Sequence, residues 1–368
     1  MKATLFSKRV ISSIEEFYDL EAVWQGLSAN NSELSLFNSF AWNESWIRCY
    51  WTNYYELNVV IIESSNQVVA ILPLYRNKKE KSLLFLATGE PEFSEVSSEY
   101  LDFIVEAEKK DELYQYIADY LVACDVSYIG FVNCASGSHV LSVSALIPMK
   151  VVVKTGRKFR MKLSSEFDSN NVGVSIRQKK NNRQLLNRFE NVDELSCEVY
   201  KIDEYAKRWE ALKGLHQKDW KSRGCDGALI SREFNDFHQY MHDNYQEITQ
   251  LFSSLSFDGE VISIHHYYKY KNILYFYLTG TLKSTHRRLS PGMMLHLLCL
   301  ANLTGEETCY DFMKGGSQAS YKEKFCEAEG GFYSITIFCA GLVGRASFYR
   351  YKFLAWLKSI KRVFFAAR

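Results

Sequence analysis

The chain has 368 residues, with 44 Lys+Arg against 43 Asp+Glu and a formal net charge of +1. Near neutrality argues against a nucleic-acid surface spread over the whole molecule, so DNA is not an expected partner. The length exceeds one ordinary core and fits two domains, and 47% hydrophobic with 24% charged residues is a globular composition.

Nine cysteines stand singly at 49, 124, 134, 197, 225, 299, 309, 326 and 339. The odd count and the lack of a C-x-x-C pair read as reduced thiols, with no disulfide frame and no metal site expected. The opening stretch reaches Glu15 and Glu16 without an apolar segment, and no window holds about 18 uninterrupted apolar residues. A cytoplasmic protein without a membrane-spanning helix is expected.

In chain order, residues 13–27 predict a helix, with Glu16 three residues after a Ser13 cap. Residues 57–63 and 67–75 predict paired strands around Ser64–Ser65–Asn66. Further strands are expected at 83–88, 101–105, 128–132 and 146–153, with a helix at 111–123. This describes an α/β or α+β domain over 1–155, followed by a second domain over 156–344. The stretch 164–191 is polar, with Arg177, Lys179, Lys180, Arg183 and Arg188. It reads as a solvated helix face, or as an electropositive rim for a phosphorylated ligand.

The second half is more informative. Helices are predicted at 203–220 and 232–243, then strands at 248–257, 260–270 and 273–279. Asp258–Gly259 and Lys271–Asn272 supply the turns between those strands, the first being the stronger hairpin signal. A helix from Met293 to about residue 304 follows, then a strand at 308–312, a glycine-rich loop at 314–316, a short helix at 320–328 and a strand at 332–339. Antiparallel strands thus feed a βαβ crossover, and the switch of pairing leaves a place for a ligand at the strand ends.

The loop Arg287–Arg288–Leu289–Ser290–Pro291–Gly292 leads into the crossover helix. Free N–H groups and the positive dipole end at such a terminus attract anions. Pro291 loses nothing at a helix start, Gly292 permits close approach, and two arginines add charge. A pyrophosphate would suit the loop; a capped helix beside a surface arginine pair is the plainer alternative.

The strand order and this R-x-x-S-P-G loop resemble the GNAT acyltransferase fold, whose acetyl-CoA loop reads Q/R-x-x-G-x-G/A. Here Ser290 stands in place of the first glycine. The chain more specifically resembles the CelD/BcsL-type acetyltransferases, relatives of the FemAB transferases. The matching stretches are Phe40–Ala41–Trp42 with Trp46, Ile71–Leu72–Pro73–Leu74, Tyr100–Leu101–Asp102, Leu215–His216 with Trp220, Asp258–Gly259, Ser290–Pro291–Gly292, and Asp311–Phe312 with Tyr321–Lys322. The resemblance implies two GNAT-like domains, each a mixed, mostly antiparallel sheet flanked by helices. It also implies acetyl-CoA or another acyl-CoA as cosubstrate, bound through Arg287, Arg288, Ser290, Gly292 and Met293. The acceptor is expected to be a small molecule or glycan.

Direct acyl transfer needs a base for the acceptor proton, a polarised carbonyl and an acid for the leaving thiolate. His216, His265, His266 and Asp311 are candidate bases; His265 and His266 are adjacent on a strand and face opposite ways, so at most one can serve. Lys322 matches a lysine of the Y/F-K stretch of FemAB-like enzymes, where it would bind an acidic acceptor or polarise the carbonyl. Tyr321 beside it would protonate the thiolate. Each of these residues also has a plain structural alternative.

Residues 345–368 carry seven Lys/Arg and no acid, with Tyr349, Phe353, Trp356, Leu357, Ile360 and Phe364 on one helical stripe. This suits a helix lying on an anionic membrane surface, or one docked on protein. Two rival readings of the whole chain stand beside acyl-CoA transfer: an aminoacyl-tRNA-dependent transferase, and a catalytically silent scaffold that binds a glycan or a protein.

Overall fold

The computed structural model describes residues 6–29, 31, 34–106, 110–163, 176–222, 224, 226–282, 289–303, 306–316, 320–339, 341 and 344–351. The chain divides into two compact units. The first comprises 1–89, 97–155 and 332–368, and the second 90–96 and 156–331.

In the first unit, β1 (Phe6–Ile11), β3 (Val59–Ser64), β4 (Gln67–Leu72) and β7 (Ile104–Val105) form an antiparallel sheet in the order β1-β3-β4-β7. A second set of strands joins β2 (Tyr55–Leu57), β5 (Leu74–Asn77), β6 (Ser82–Phe85) and β8 (Tyr128–Ala135), with residues 332–337 antiparallel to β8. Here β6 and β8 run parallel, in register at Ser82↔Tyr128, Leu83↔Ile129 and Leu84↔Gly130. The helices are α1 (Ile14–Tyr18), α2 (Glu21–Ala29), α3 (Phe40–Tyr50), α4 (Lys110–Ala123) and α5 (His139–Ala145).

The stretches Phe40–Ala41–Trp42 and Tyr100–Leu101–Asp102 have architectural partners in this unit. Trp42 is fully buried, and its indole N–H donates to Ser98 Oγ at 2.9 Å. Asn38 donates to the carbonyl of Tyr100 at 2.7 Å and accepts from the N–H of Asp102 at 3.0 Å. The carboxylate of Asp102 accepts from the N–H groups of His139 and Val140, each at 2.8 Å, at the start of α5. Satisfying buried polar groups in this way avoids the cost of leaving them unpaired.

In the second unit, β9 (Lys150–Lys162, through residues 157–162), β10 (Leu195–Lys201), β11 (Thr249–Phe257), β12 (Glu260–Tyr270), β13 (Ile273–Thr281) and β14 (Cys309–Gly315) form a sheet in the order β10-β11-β12-β13-β14-β9. Its pairs are antiparallel except β13–β14, which is parallel. Asp258 (φ 51°) with Gly259 (φ 78°), and Lys271 (φ 47°) with Asn272 (φ 59°), take left-handed turn conformations. Helices α6 (Ile176–Glu190) and α9 (Pro291–Ala301) cover one face; α7 (Tyr205–Lys221) and α8 (Arg232–Asn244) cover the other. The alternation on β12 sets this division. His265 meets His296 of α9 at 4.4 Å between ring centroids, and His266 meets Trp209 of α7 at 5.5 Å.

Several expectations are corrected. The 13–27 helix is two helices, because Asp19 C-caps α1. The strand expected at 146–153 starts at 150 and runs to 162, behind the helix α5 that the sequence did not signal. Residues 332–337, expected to close the second domain, pair with β8 in the first unit, as the terminal part of β15 (Ala328–Ile337). Within 164–191, α6 is present and 164–175 lies outside the described residues. Of the C-terminal stretch, 344–351 is helical and 352–368 lies outside the described residues. Among the described residues no helix is long and apolar enough to cross a membrane.

Candidate functional site

The parallel pair β13–β14 is in register over three residues: Ile273↔Cys309, Leu274↔Tyr310 and Tyr275↔Asp311. Both strands continue, β13 to Thr281 and β14 to Gly315, without further registered pairs between them. On their outer sides the same segments stay paired, β13 to β12 through Thr281 and β14 to β9 through Gly315. The sheet is therefore split from Phe276 and Phe312 onward. A strand edge carrying N–H and C=O groups is a template for an extended ligand.

The split leads toward the start of α9. A Cβ placed on Gly292 would lie 3.4 Å from Thr281 Oγ1, so the end of β13 adjoins the first turn of the helix. Ser290 is left-handed (φ 47°), its side chain does not cap the helix, and Pro291 begins it. No acidic residue lies in the first turn. The N–H groups of Gly292 and Met293 belong to the orphan donors of a helix start, the arrangement that favours an anion. Arg287 and Arg288 lie outside the described residues.

Asp311 is fully buried on β14. Its Oδ2 accepts from Arg160 Nε at 2.9 Å, and its Oδ1 accepts from the N–H of Met313 at 2.7 Å. Lys322 is nearly buried and donates to the carbonyls of Phe312 and of Lys314, the latter at 2.7 Å. In these positions Asp311 and Lys322 fasten β14 along the split. Tyr321 is 41% exposed, with its ring 5.9 Å from that of His296.

His265 is deeply buried on the α9 side, and burial pushes its pKa down to about 3. Its Nδ1 is 3.0 Å from the hydroxyl of Tyr267, which is 3.0 Å from that of Tyr310, which is 2.8 Å from Nδ1 of His296. Tyr267 also donates to Cys299 Sγ at 3.3 Å. The ring of His296 lies between the first residues past the paired segment, 4.5 Å from Phe276 and 5.2 Å from Phe312. The sequence did not single out His296, Tyr310 or Tyr267. A lone histidine in the apolar run Met293–Ala301 gives no signal of its own.

His216 stands apart from that group, on α7 against the opposite face. Its ring is 5.7 Å from Trp220, and Gly227 packs on it, since a Cβ there would meet the imidazole at 2.4 Å. Gly280 of β13 allows α7 to approach this closely; its Cβ would lie 2.7 Å from the His216 backbone nitrogen. His266 shares the α7 side. It is fully buried, bonds Gln250 through Nε2 at 2.9 Å, and has its pKa pushed down to about 3 chiefly by burial. Among the described residues no group of three or more His, Cys, Asp or Glu could hold a metal ion.

Residues 177–323, which include strands β10 to β14 and helices α7, α8 and α9, match the family model described as the Acetyltransferase (GNAT) domain. Solved structures with similar folds include FemX, at 10% identity over 89% of this chain and 96% of that one, with a TM-score of 0.57. A tandem GNAT protein from the clavulanic acid biosynthesis pathway, determined without AcCoA, is similar at 10% identity over 90% and 98%, with a TM-score of 0.51. A conserved protein of unknown function from Bacteroides thetaiotaomicron matches at 10% identity over 90% and 99%, with a TM-score of 0.50. No curated protein matches the sequence. The fold is mixed α/β with two GNAT-like domains, and the acetyltransferase-domain match lies in the second unit.

Proposed function

We propose that the second unit transfers an acyl group, acetyl in the simplest case, from an acyl-CoA thioester to an amine or hydroxyl of a small molecule or glycan. The observation that carries this reading is the three-residue parallel pair β13–β14, which opens beside the uncapped start of α9. An extended thioester arm adds to the free edge of β13, while the pyrophosphate rests on the N–H groups of Gly292 and Met293. Arg287 and Arg288 supply charge to that anion. The acceptor attacks the carbonyl directly, so positioning by the strand edge does much of the work and no protein nucleophile is needed. Burial raises the thiols of Cys299, to about 11, and of Cys309 and Cys326, to about 12, which disfavours them as nucleophiles.

The test is calorimetric titration of acetyl-CoA into the protein and into an Arg287→Ala/Arg288→Ala variant. Micromolar binding by the intact chain, weakened at least tenfold in the variant, is the expected result. No binding by the intact chain would overturn the reading. A second reading, transfer from an aminoacyl-tRNA, draws on the exposed Lys180, Arg183 and Arg188 of α6. Steeply salt-dependent tRNA binding in the absence of acetyl-CoA binding would favour it.

A further inference from the structure

His296 occupies a distinctive place. It is 2% exposed, lies between Phe276 and Phe312 where the parallel strands part, and has the ring of Tyr321 5.9 Å away. Its Nδ1 is committed to Tyr310, while Nε2 makes no hydrogen bond among the described residues. Behind it the hydroxyls of Tyr310 and Tyr267 lead to His265, giving three consecutive hydrogen bonds of 2.8–3.0 Å. Tyr267 and Tyr310 are fully buried, and His265 is 1% exposed. Four titratable side chains joined in one line are costly to bury unless each bond is satisfied. Apolar packing alone would place leucine or methionine here, as the rest of α9 does.

We propose that His296 is the acid–base residue of the split, and that Tyr310, Tyr267 and His265 are positioning residues that fix which of its nitrogens carries the proton. This rests on the acyl-CoA reading above. Each hydroxyl in the line has one proton, and that of Tyr267 goes to Cys299 Sγ, so Tyr267 accepts its other two bonds. Tyr310 therefore donates to Tyr267 and accepts from Nδ1–H of His296, and Nδ1–H of His265 donates to Tyr267. Nε2 of His296 is then a lone pair, ready to accept. Both imidazoles are neutral at rest, as their burial demands.

The step balances within the reactants. As the acceptor's nitrogen or oxygen bonds to the thioester carbon, its proton passes to Nε2 of His296. The carbon–sulfur bond then breaks, and the thiolate sulfur takes that proton from Nε2. Burial foremost, then His265 and the Lys322 ammonium, disfavour a lasting charge on His296. The titratable rings of His265, at 4.4 Å, and of Tyr321, at 5.9 Å, also face it.

The experiment is nitrogen-15 NMR of imidazole-labelled protein, which has eight histidines. The resonances of His296 are assigned with His296→Gln, and independently with Tyr310→Phe, which removes the partner of its Nδ1. Acetyl-CoA is added to saturation, with binding followed calorimetrically on the same sample. The expected result is a shift of the His296 Nε2 resonance on binding, and a changed Nδ1–H to Nε2–H tautomer ratio in Tyr310→Phe. Saturating binding with His296 unmoved would overturn this inference and leave the acyl-CoA reading standing. A Tyr310→Phe tautomer ratio equal to that of the intact chain would overturn the positioning role. No binding of acetyl-CoA by the intact chain would overturn the acyl-CoA reading and this inference with it.

Discussion

Among the described residues each unit contains one short parallel pair, and the two units treat its end in opposite ways. In the first unit, β6 and β8 part after Leu84 and Gly130, and the next residues, Phe85 and Phe131, meet at 4.6 Å. Phe103 closes over both, at 5.6 Å and 5.5 Å. In the second unit, β13 and β14 part after Tyr275 and Asp311, and His296 lies between Phe276 and Phe312. The helices that lead into the second strand of each pair also differ. The first turn of α4 carries Asp111 and Glu112, whereas that of α9 carries no acid. Carboxylates at a helix start compete with an anion for the positive dipole end. The same topological opening is thus plugged with rings and guarded by acids in one unit. In the other it is lined with a titratable group and left open to an anion. This contrast supports placing the proposed donor site in the second unit.

Substitutions can break the comparison, and the largest effect is expected at the plug. Phe85 is fully buried, and Phe85→Ala should cost about 3–5 kcal/mol of stability through the lost burial and the cavity left behind. Urea unfolding would measure this, with acetyl-CoA affinity unchanged within twofold. A variant that keeps its stability, or that loses acetyl-CoA binding, would contradict the role given to the plug.

The next effect is pH dependence. His265 and His266 hold folded pKa values of about 3 because burial disfavours their charged forms. In the unfolded chain they return to about 6.5. Between these values the unfolded chain binds more protons, so stability present above pH 6.5 is lost as the pH falls toward 3. At pH 5.5 each contributes a loss of about 1.4 kcal/mol, about 3 kcal/mol for the pair. Urea midpoints at pH 7.5 and 5.5 should show this loss in the intact chain. It should shrink by about that amount in His265→Gln/His266→Gln; an equal loss in both proteins would contradict the assignment.

A smaller effect is expected at Gly280. A Cβ there would stand 2.7 Å from both the His216 nitrogen and the Leu215 Cβ, so α7 must shift off β13. Gly280→Ala should cost about 1–3 kcal/mol, the usual range for overpacking. Thermal unfolding would report it, and an unchanged midpoint would show that α7 moves without strain.

Much of this arrangement was legible in the sequence. The turns at Asp258–Gly259 and Lys271–Asn272 fixed the three antiparallel strands, because few residues accept the left-handed backbone seen there. Proline and glycine located the start of α9, and the order of elements gave the switch from antiparallel to parallel pairing. The first unit was harder to read. The buried face of α3 takes in Asn43, Glu44 and Ser45 along with its aromatics, so its helical period is blurred. The strand β9 pairs with residues about 150 positions away, as Asp311↔Arg160 shows, and no local signal reports such a partner. In the site, His265 and His266 were correctly expected to face opposite ways. His296 stayed hidden because its meaning comes from Tyr310 and from the parting of two strands, which only the fold brings together.

The central claim is that the second unit's split, and not the first unit's, receives an acyl-CoA. Hydrogen–deuterium exchange of the intact chain with and without saturating acetyl-CoA tests it most directly. The account predicts slowed exchange in 276–282 and 289–295, with 82–88 and 110–116 unchanged. Protection confined to the first unit, or exchange in 276–295 unaffected by bound acetyl-CoA, would contradict it.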